Sequence, residues 1–266
     1  FNFKHAALGV QLDLRRMGLQ DSDIQDPLVS RAAQALTDLE SGAVANVSEG
    51  RQVGHYWLRT PRLAPAPLGE AIRLDRLALR EFAENVCEGG FFQTVLLLGI
   101  GGSALGPQLL NQALGEPSSL AFACIDNTDP EGIQRTLARL DLGRTLVLVI
   151  SKSGATAETR NALRLTQNAY AEAGIGFPSH AAAITGRNSK LHQEAESDQW
   201  LAVFFQMEWV GGRTSIASAV GMLPAALMGV DTKAFLSGCS KMDAWCREQD
   251  WNPATALAMA WYRNTQ

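Results

Sequence analysis

The chain has 266 residues, 46% hydrophobic and 19% charged, a balance that suits a globular fold with a sizeable core. Against 27 acidic residues stand 23 basic ones, for a formal net charge of -4, so no domain-wide basic excess exists to neutralise nucleic-acid phosphates. No apolar run reaches membrane-spanning length and no signal-peptide pattern opens the chain, which predicts a cytoplasmic protein with no membrane partner.

Taken in chain order, residues 1 to about 88 read as helices with loops between them. DPLVSRAAQALTDLESG places Leu28, Ala32, Ala35, Leu36 and Leu39 at helical spacing and stops at Gly42. HYWLR, from His55 to Arg59, reads as a short extended stretch packed on the core. TPRLAPAPLG is a proline-rich loop, and EAIRLDRLALREFAENV then resumes a helical period. From about Phe92 short apolar runs alternate with amphipathic segments. TVLLLGI, LAFACI, TLVLVI, HAAAIT and WLAVFF read as five strands, and SALGPQLLNQAL, PEGIQRTLARL and AETRNALRLTQNAYAEAG as helices between them. The runs are apolar on both faces, as parallel strands covered by helices on both sides require. The expected fold is therefore α/β: a three-layer α/β/α sandwich on a five-stranded, doubly wound parallel sheet, with helical additions at both ends. After about Asp231 the pattern is again helical, and Asn252-Pro253 makes a good start for a last helix. The expected divisions are a helical segment over 1–88, the sheet domain over 89–230 and a helical segment over 231–266.

Ligands of an open parallel sheet sit at the carboxyl ends of its strands, so the strand-to-helix loops carry the chemistry. Three loops are unusual. GIGGSALGP, Gly99 to Pro107, offers glycines that let a ligand approach unshielded amides, with Ser103 adding a hydroxyl. Gly99, Gly101 and Ala104 also satisfy a dinucleotide fingerprint, and Asp126 sits near the distance of a ribose-binding acid, so a nicotinamide-binding domain stays open here. SKSGATAET, Ser151 to Thr159, sets the hydroxyls of Ser151, Ser153 and Thr156 before a helix, a site for a phosphate dianion or simply a Ser/Thr-rich cap. EWVGGRTS, Glu208 to Ser215, puts Arg213 on an exposed turn at a helix start, where it needs an anionic partner. That partner is either a neighbouring carboxylate or a reacting oxygen with developing charge. The four cysteines (Cys87, Cys124, Cys239 and Cys246) form no CxxC pair, and the four histidines are scattered without ligand spacing. Both point to incidental thiols in a reducing compartment and to no metal site.

With the three loops assembled, the sequence resembles the glucose-6-phosphate isomerase family of bacterial type. GIGGSALGP resembles its first glycine loop, SKSGATAET its phosphate loop, WVGGRTSIASAVG one of its signature segments and PATALAMAWYRN the stretch after it. HYWLR and ITGRNSKL are also similar to bacterial members. The resemblance implies a sugar-isomerase (SIS) type fold and reversible conversion of glucose 6-phosphate and fructose 6-phosphate through a cis-enediol, by a homodimer needing neither metal nor organic cofactor. It implies phosphate contacts from Ser151, Ser153 and Thr156 with backbone from Lys152, and a sugar site lined by Gly102 and Ser103. Arg213 would stabilise the enediolate, and Glu158 would order the site or a bound water. Ala157 departs from the pattern, where many members carry glutamine, as do Ile216 and Ala217. Family members are about twice this length and draw a catalytic glutamate, a ring-opening histidine and a lysine from their second half. The chain begins at Phe1 rather than Met and stops at Gln266, so it is expected to be trimmed at both ends and, alone, inactive. The alternative is a non-catalytic module of the same fold that senses sugar phosphates.

Overall fold

A computed structural model describes residues 1–266. The chain forms two compact units, one of residues 64–232 and one of residues 1–63 with 233–266.

The larger unit begins with α2 (Ala66–Gly89), which takes in the last residues of the expected proline-rich loop, Ala66 to Gly69. Five strands follow, β3 (Thr94–Leu98), β4 (Ala121–Ile125), β5 (Thr145–Ser151), β6 (Ala181–Thr185) and β7 (Ala202–Phe205). They pair in parallel in the order β4-β3-β5-β6-β7. The helices between them are α3 (Leu105–Leu114), α4 (Pro130–Leu137), α5 (Ala157–Glu172) and α6 (Lys190–Ser197), with α7 (Ala219–Leu227) after the last strand. The expected sandwich on a five-stranded parallel sheet is what forms. The helix over Lys190–Ser197 escaped the sequence reading because its eight residues are mostly polar.

Strand alternation explains the core. Leu96, Leu98, Val147, Val149, Ala181 and Ala183 share one face with Ala162, Leu163 and Tyr170 of α5 and Leu191 and Ala195 of α6. Val95, Leu97, Leu146, Leu148 and Ile150 point the other way and are equally inaccessible. There α7 packs against both α2 and α3, and Phe82 of α2 meets Phe204 of β7 edge-on. Each such buried aliphatic side chain contributes roughly 1.5–3 kcal/mol. Only the edge strands depart from apolar-on-both-faces, with Ala121 exposed and the residues of β7 half-buried. Cys124 lies on edge strand β4, where burial pushes its thiol up to about 12.

The smaller unit opens with two short antiparallel strands, β1 (Asn2–His5) and β2 (Val10–Asp13), instead of helix. Four residues apiece and mostly exposed, they carry no apolar period that a sequence could display. Next comes α1 (Pro27–Glu40), capped by Asp26, with Gly42, the expected stop, just past its end at a φ of 96°. The HYWLR stretch is a 3-10 turn over His55–Leu58 rather than extended chain. The ring of Trp57 folds back against Gly54, a contact an extended strand could not make. Two further helices, α8 (Thr232–Trp245) and α9 (Pro253–Asn264), complete the chain, α9 capped by Asn252. Charge ties the smaller unit together. Asp243 takes Arg59 at 2.9 Å and Arg247 at 2.7 Å, Arg247 also reaches Glu40, and Arg263 spans Asp23 and Asp26 at 2.8 and 3.0 Å.

Candidate functional site

In chain order the sheet runs second-first-third-fourth-fifth, so the winding reverses between the first and third strands, β3 and β5. That reversal opens a crevice at their carboxyl ends, where ligands of doubly wound sheets bind. The loops leaving β3 and β5 are the glycine loop and the hydroxyl loop. The order is also not the 3-2-1-4-5-6 of the classic dinucleotide fold. Asp126, the would-be ribose acid, accepts a hydrogen bond from Gln108 Nε2 at 3.0 Å.

Helix starts separate these two loops from the others. The side chains of Asp129, Ser189 and Ser218 cap α4, α6 and α7, each accepting from a first-turn amide. The N-termini of α3 and α5 have no side-chain cap. First-turn amides have no acceptor inside their own helix, so both ends present unshielded donors and the positive end of the helix dipole. Thr156 stands at the cap position of α5, but its Oγ1 turns to Ser151 Oγ at 3.1 Å and Ser153 Oγ at 3.5 Å. The structure thus brings Ser151, Ser153 and Thr156 together. Gly154 turns beneath them at a φ of 64°, and a Cβ there would stand 2.6 Å from the Leu191 amide.

Support for this loop comes from β6 and the start of α6, which sequence reading did not single out. Thr185 Oγ1 donates to the Ser151 carbonyl at 2.6 Å and lies 2.7 Å from Ser189 Oγ, while the Gly186 amide bonds the Lys152 carbonyl at 2.9 Å. A threonine closing a buried strand and a cap serine four residues on, within ITGRNSKL, were the available signals. Glu158 sits half-buried in the first turn of α5.

The third loop closes on the first. A Cβ on Gly102 would lie 2.5 Å from the Gly212 carbonyl, so the two backbones meet where only glycine fits. Ser215 Oγ donates to the Gly102 carbonyl at 2.9 Å. A 3-10 turn over Gly212–Ala217 carries Arg213 to the surface, and α7 starts only at Ala219. None of the chain's ion pairs involves Arg213, so no neighbouring carboxylate takes its charge. Ile216, one of the departures from the family pattern, packs 3.3 Å from where a Gly106 Cβ would stand and so holds this loop to α3. Ser103 is half-buried in the 3-10 turn Gly101–Ser103, and no hydrogen bond joins it or Glu158 to the hydroxyl cluster. No group of three or more His, Cys, Asp or Glu side chains is arranged to hold a metal ion.

Strand order, uncapped helix starts and converging hydroxyls define a doubly wound α/β protein with an anion-receptive crevice at its switch point. The chain belongs to the phosphoglucose isomerase family, whose model matches residues 26–266. It is 48% identical over 277 aligned positions to a glucose-6-phosphate isomerase of Synechococcus sp. (strain JA-3-3Ab), covering 98% of this chain and 52% of that protein. To the chloroplastic glucose-6-phosphate isomerase 1 of Arabidopsis thaliana it is 44% identical, covering 98% of this chain and 45% of the relative. The crystal structure of a glucose-6-phosphate isomerase from Chlamydia trachomatis superposes with a TM-score of 0.79 at 26% identity, over 95% of this chain and 51% of that one. The chain spans about half the length of the relatives it matches.

Proposed function

We propose that these residues form the sugar-phosphate-binding side of a glucose-6-phosphate isomerase, which interconverts glucose 6-phosphate and fructose 6-phosphate. One observation carries this reading: three hydroxyls converge before an uncapped helix, at the switch point of the sheet. The hydroxyls of Ser151, Ser153 and Thr156, with the Lys152 backbone and the first amides of α5, bind the phosphate dianion. Gly102 and Ser103 line the sugar. Arg213, exposed and without a carboxylate partner, stabilises the enediolate oxygen as the proton passes between C1 and C2, and Glu158 orders the site. The base is assigned by resemblance to the part of the relatives that this chain does not match, as are the groups that open the ring. The division into segments 1–88, 89–230 and 231–266, a homodimeric assembly and a cytoplasmic location belong to the same proposal. The family resemblance supports them.

Calorimetric titration of fructose 6-phosphate into the 266-residue chain tests the reading. Binding is expected, and Ser151→Ala or Thr156→Ala should weaken it about tenfold or more by removing a charge-assisted hydrogen bond. Unchanged affinity in both variants, or binding of NADH in place of the sugar phosphate, would show the site is misassigned.

A further inference from the structure

A lysine beside a phosphate loop is expected to aim its ammonium at the anion. Here it does something else. Lys152 Nζ donates to the carbonyl of Glu208 at 2.9 Å and to that of Val210 at 3.0 Å, on the segment that leads from β7 to Arg213. Between Phe205 and Gly212 the chain is neither strand nor helix. The backbone bonds that hold this stretch are Gln206 N to Thr185 O, the turn Val210 N to Met207 O and, at its end, Thr214 N to Gly211 O, so the carbonyls of Glu208 and Val210 need donors from elsewhere. On the far side of Arg213, Ser215 Oγ bonds the Gly102 carbonyl. The Arg213 turn is thus pinned at one end to the loop after β5 and at the other to the loop after β3.

We propose that the side chain of Lys152 is a positioning residue, fixing the Glu208–Arg213 segment so that Arg213 is set for the reacting end of a sugar whose phosphate sits on residues 151–156. The identity of the ligand rests on the function proposed above, whereas the tether exists in the ligand-free chain. The Arg213 side chain enters none of the ion pairs or side-chain hydrogen bonds, so its position is inherited from the turn that carries it. An ammonium suits the task. It is a compact charge with several donors, able to serve two carbonyls at once, and each charge-assisted bond is stronger than a neutral one. Because the phosphate is held by hydroxyls and backbone, removing this side chain should spare phosphate and penalise sugar.

The test uses the 266-residue chain and its Lys152→Met and Lys152→Arg variants. In ligand-free protein, amide exchange at Val210–Thr214 should rise about tenfold or more in K152M and return toward wild type in K152R. In titrations, K152M should hold inorganic phosphate within about threefold of wild type while losing about tenfold in affinity for fructose 6-phosphate, with partial recovery in K152R. A general loosening of the fold would weaken both ligands alike, and that outcome overturns the proposal. So does unchanged exchange at Val210–Thr214 in K152M with native melting behaviour. A wild-type chain that binds neither ligand would sink the sugar-phosphate reading, and the exchange comparison would still decide the tether.

Discussion

The two units combine burial and charge in different proportions. In the 64–232 unit the strands β3, β5 and β6 are closed to water along their apolar residues, and stability comes chiefly from burial, which is non-directional and is not screened by salt. In the other unit long side chains carry the ties: Glu40 to Arg247, Arg247 and Arg59 to Asp243, Arg263 to Asp23 and Asp26. Both units bury polar atoms without partners, His55 Nδ1 and Arg59 Nε in the smaller and Trp200 Nε1 and Gln206 Nε2 in the larger, and the smaller leaves Trp261 and Tyr262 exposed on α9. An open cavity of about 740 Å³ lies beside Asp243 and Arg247, lined by Leu36, Phe235 and Met242. The contrast explains where chemistry can be placed. A rigid, apolar sheet holds three loops to within hydrogen-bonding tolerance, whereas ion pairs between long side chains define a fold more loosely.

Three substitutions would break or sharpen this contrast. The largest effect is expected for Leu148→Ala at the centre of β5, where the side chain is fully buried. It should cost about 2–5 kcal/mol, with little dependence on ionic strength, as read from denaturant midpoints at low and high salt. A loss that halves in high salt would mean the sheet unit is not held by burial. Next comes Asp243→Ala. Its side chain is only 10% exposed and serves two arginines that are themselves 29% and 22% exposed. Between the limits for buried and surface pairs, the loss should be about 2–3 kcal/mol, and it should shrink as salt rises. Equal losses at all salt concentrations would remove the electrostatic account of that unit.

The smallest effect is a pH dependence. Burial, with the nearby Arg59 guanidinium, lowers the His55 pKa below its ordinary 6.5. The unfolded chain therefore binds a proton that the folded chain resists. Stability contributed by neutral His55 is present above about 6.5 and lost as pH falls toward the depressed folded value. Thermal melts of wild type and His55→Phe from pH 7.5 down to 5.5 should diverge, the wild type falling further. Parallel curves would show that His55 does not titrate with folding.

The sequence alone determined the alternation of strands and helices, the parallel sheet and the three loops, because each is written locally. Apolar runs of four to seven residues, glycines at strand ends and capping residues act within a few positions of themselves. Asp26, Asn252 and Gly42 punctuate their helices as their types require. The hairpin Asn2–Asp13, the 3-10 turn at His55–Leu58 and the helix Lys190–Ser197 were not legible. The first and last lack an apolar period, and the turn depends on Trp57 packing over Gly54. The site shows the same division. Hydroxyls, glycines and Arg213 could be named from motifs, since residue type limits chemistry. Only the tertiary structure decided that Thr156 leaves its helix uncapped, that Thr185 buttresses Ser151, that Gly102 meets Gly212, and that Lys152 reaches the carbonyls of Glu208 and Val210. The last three, like the bond from Ser215 to Gly102 across 113 positions, are contacts fixed by strand order, and no local pattern carries strand order.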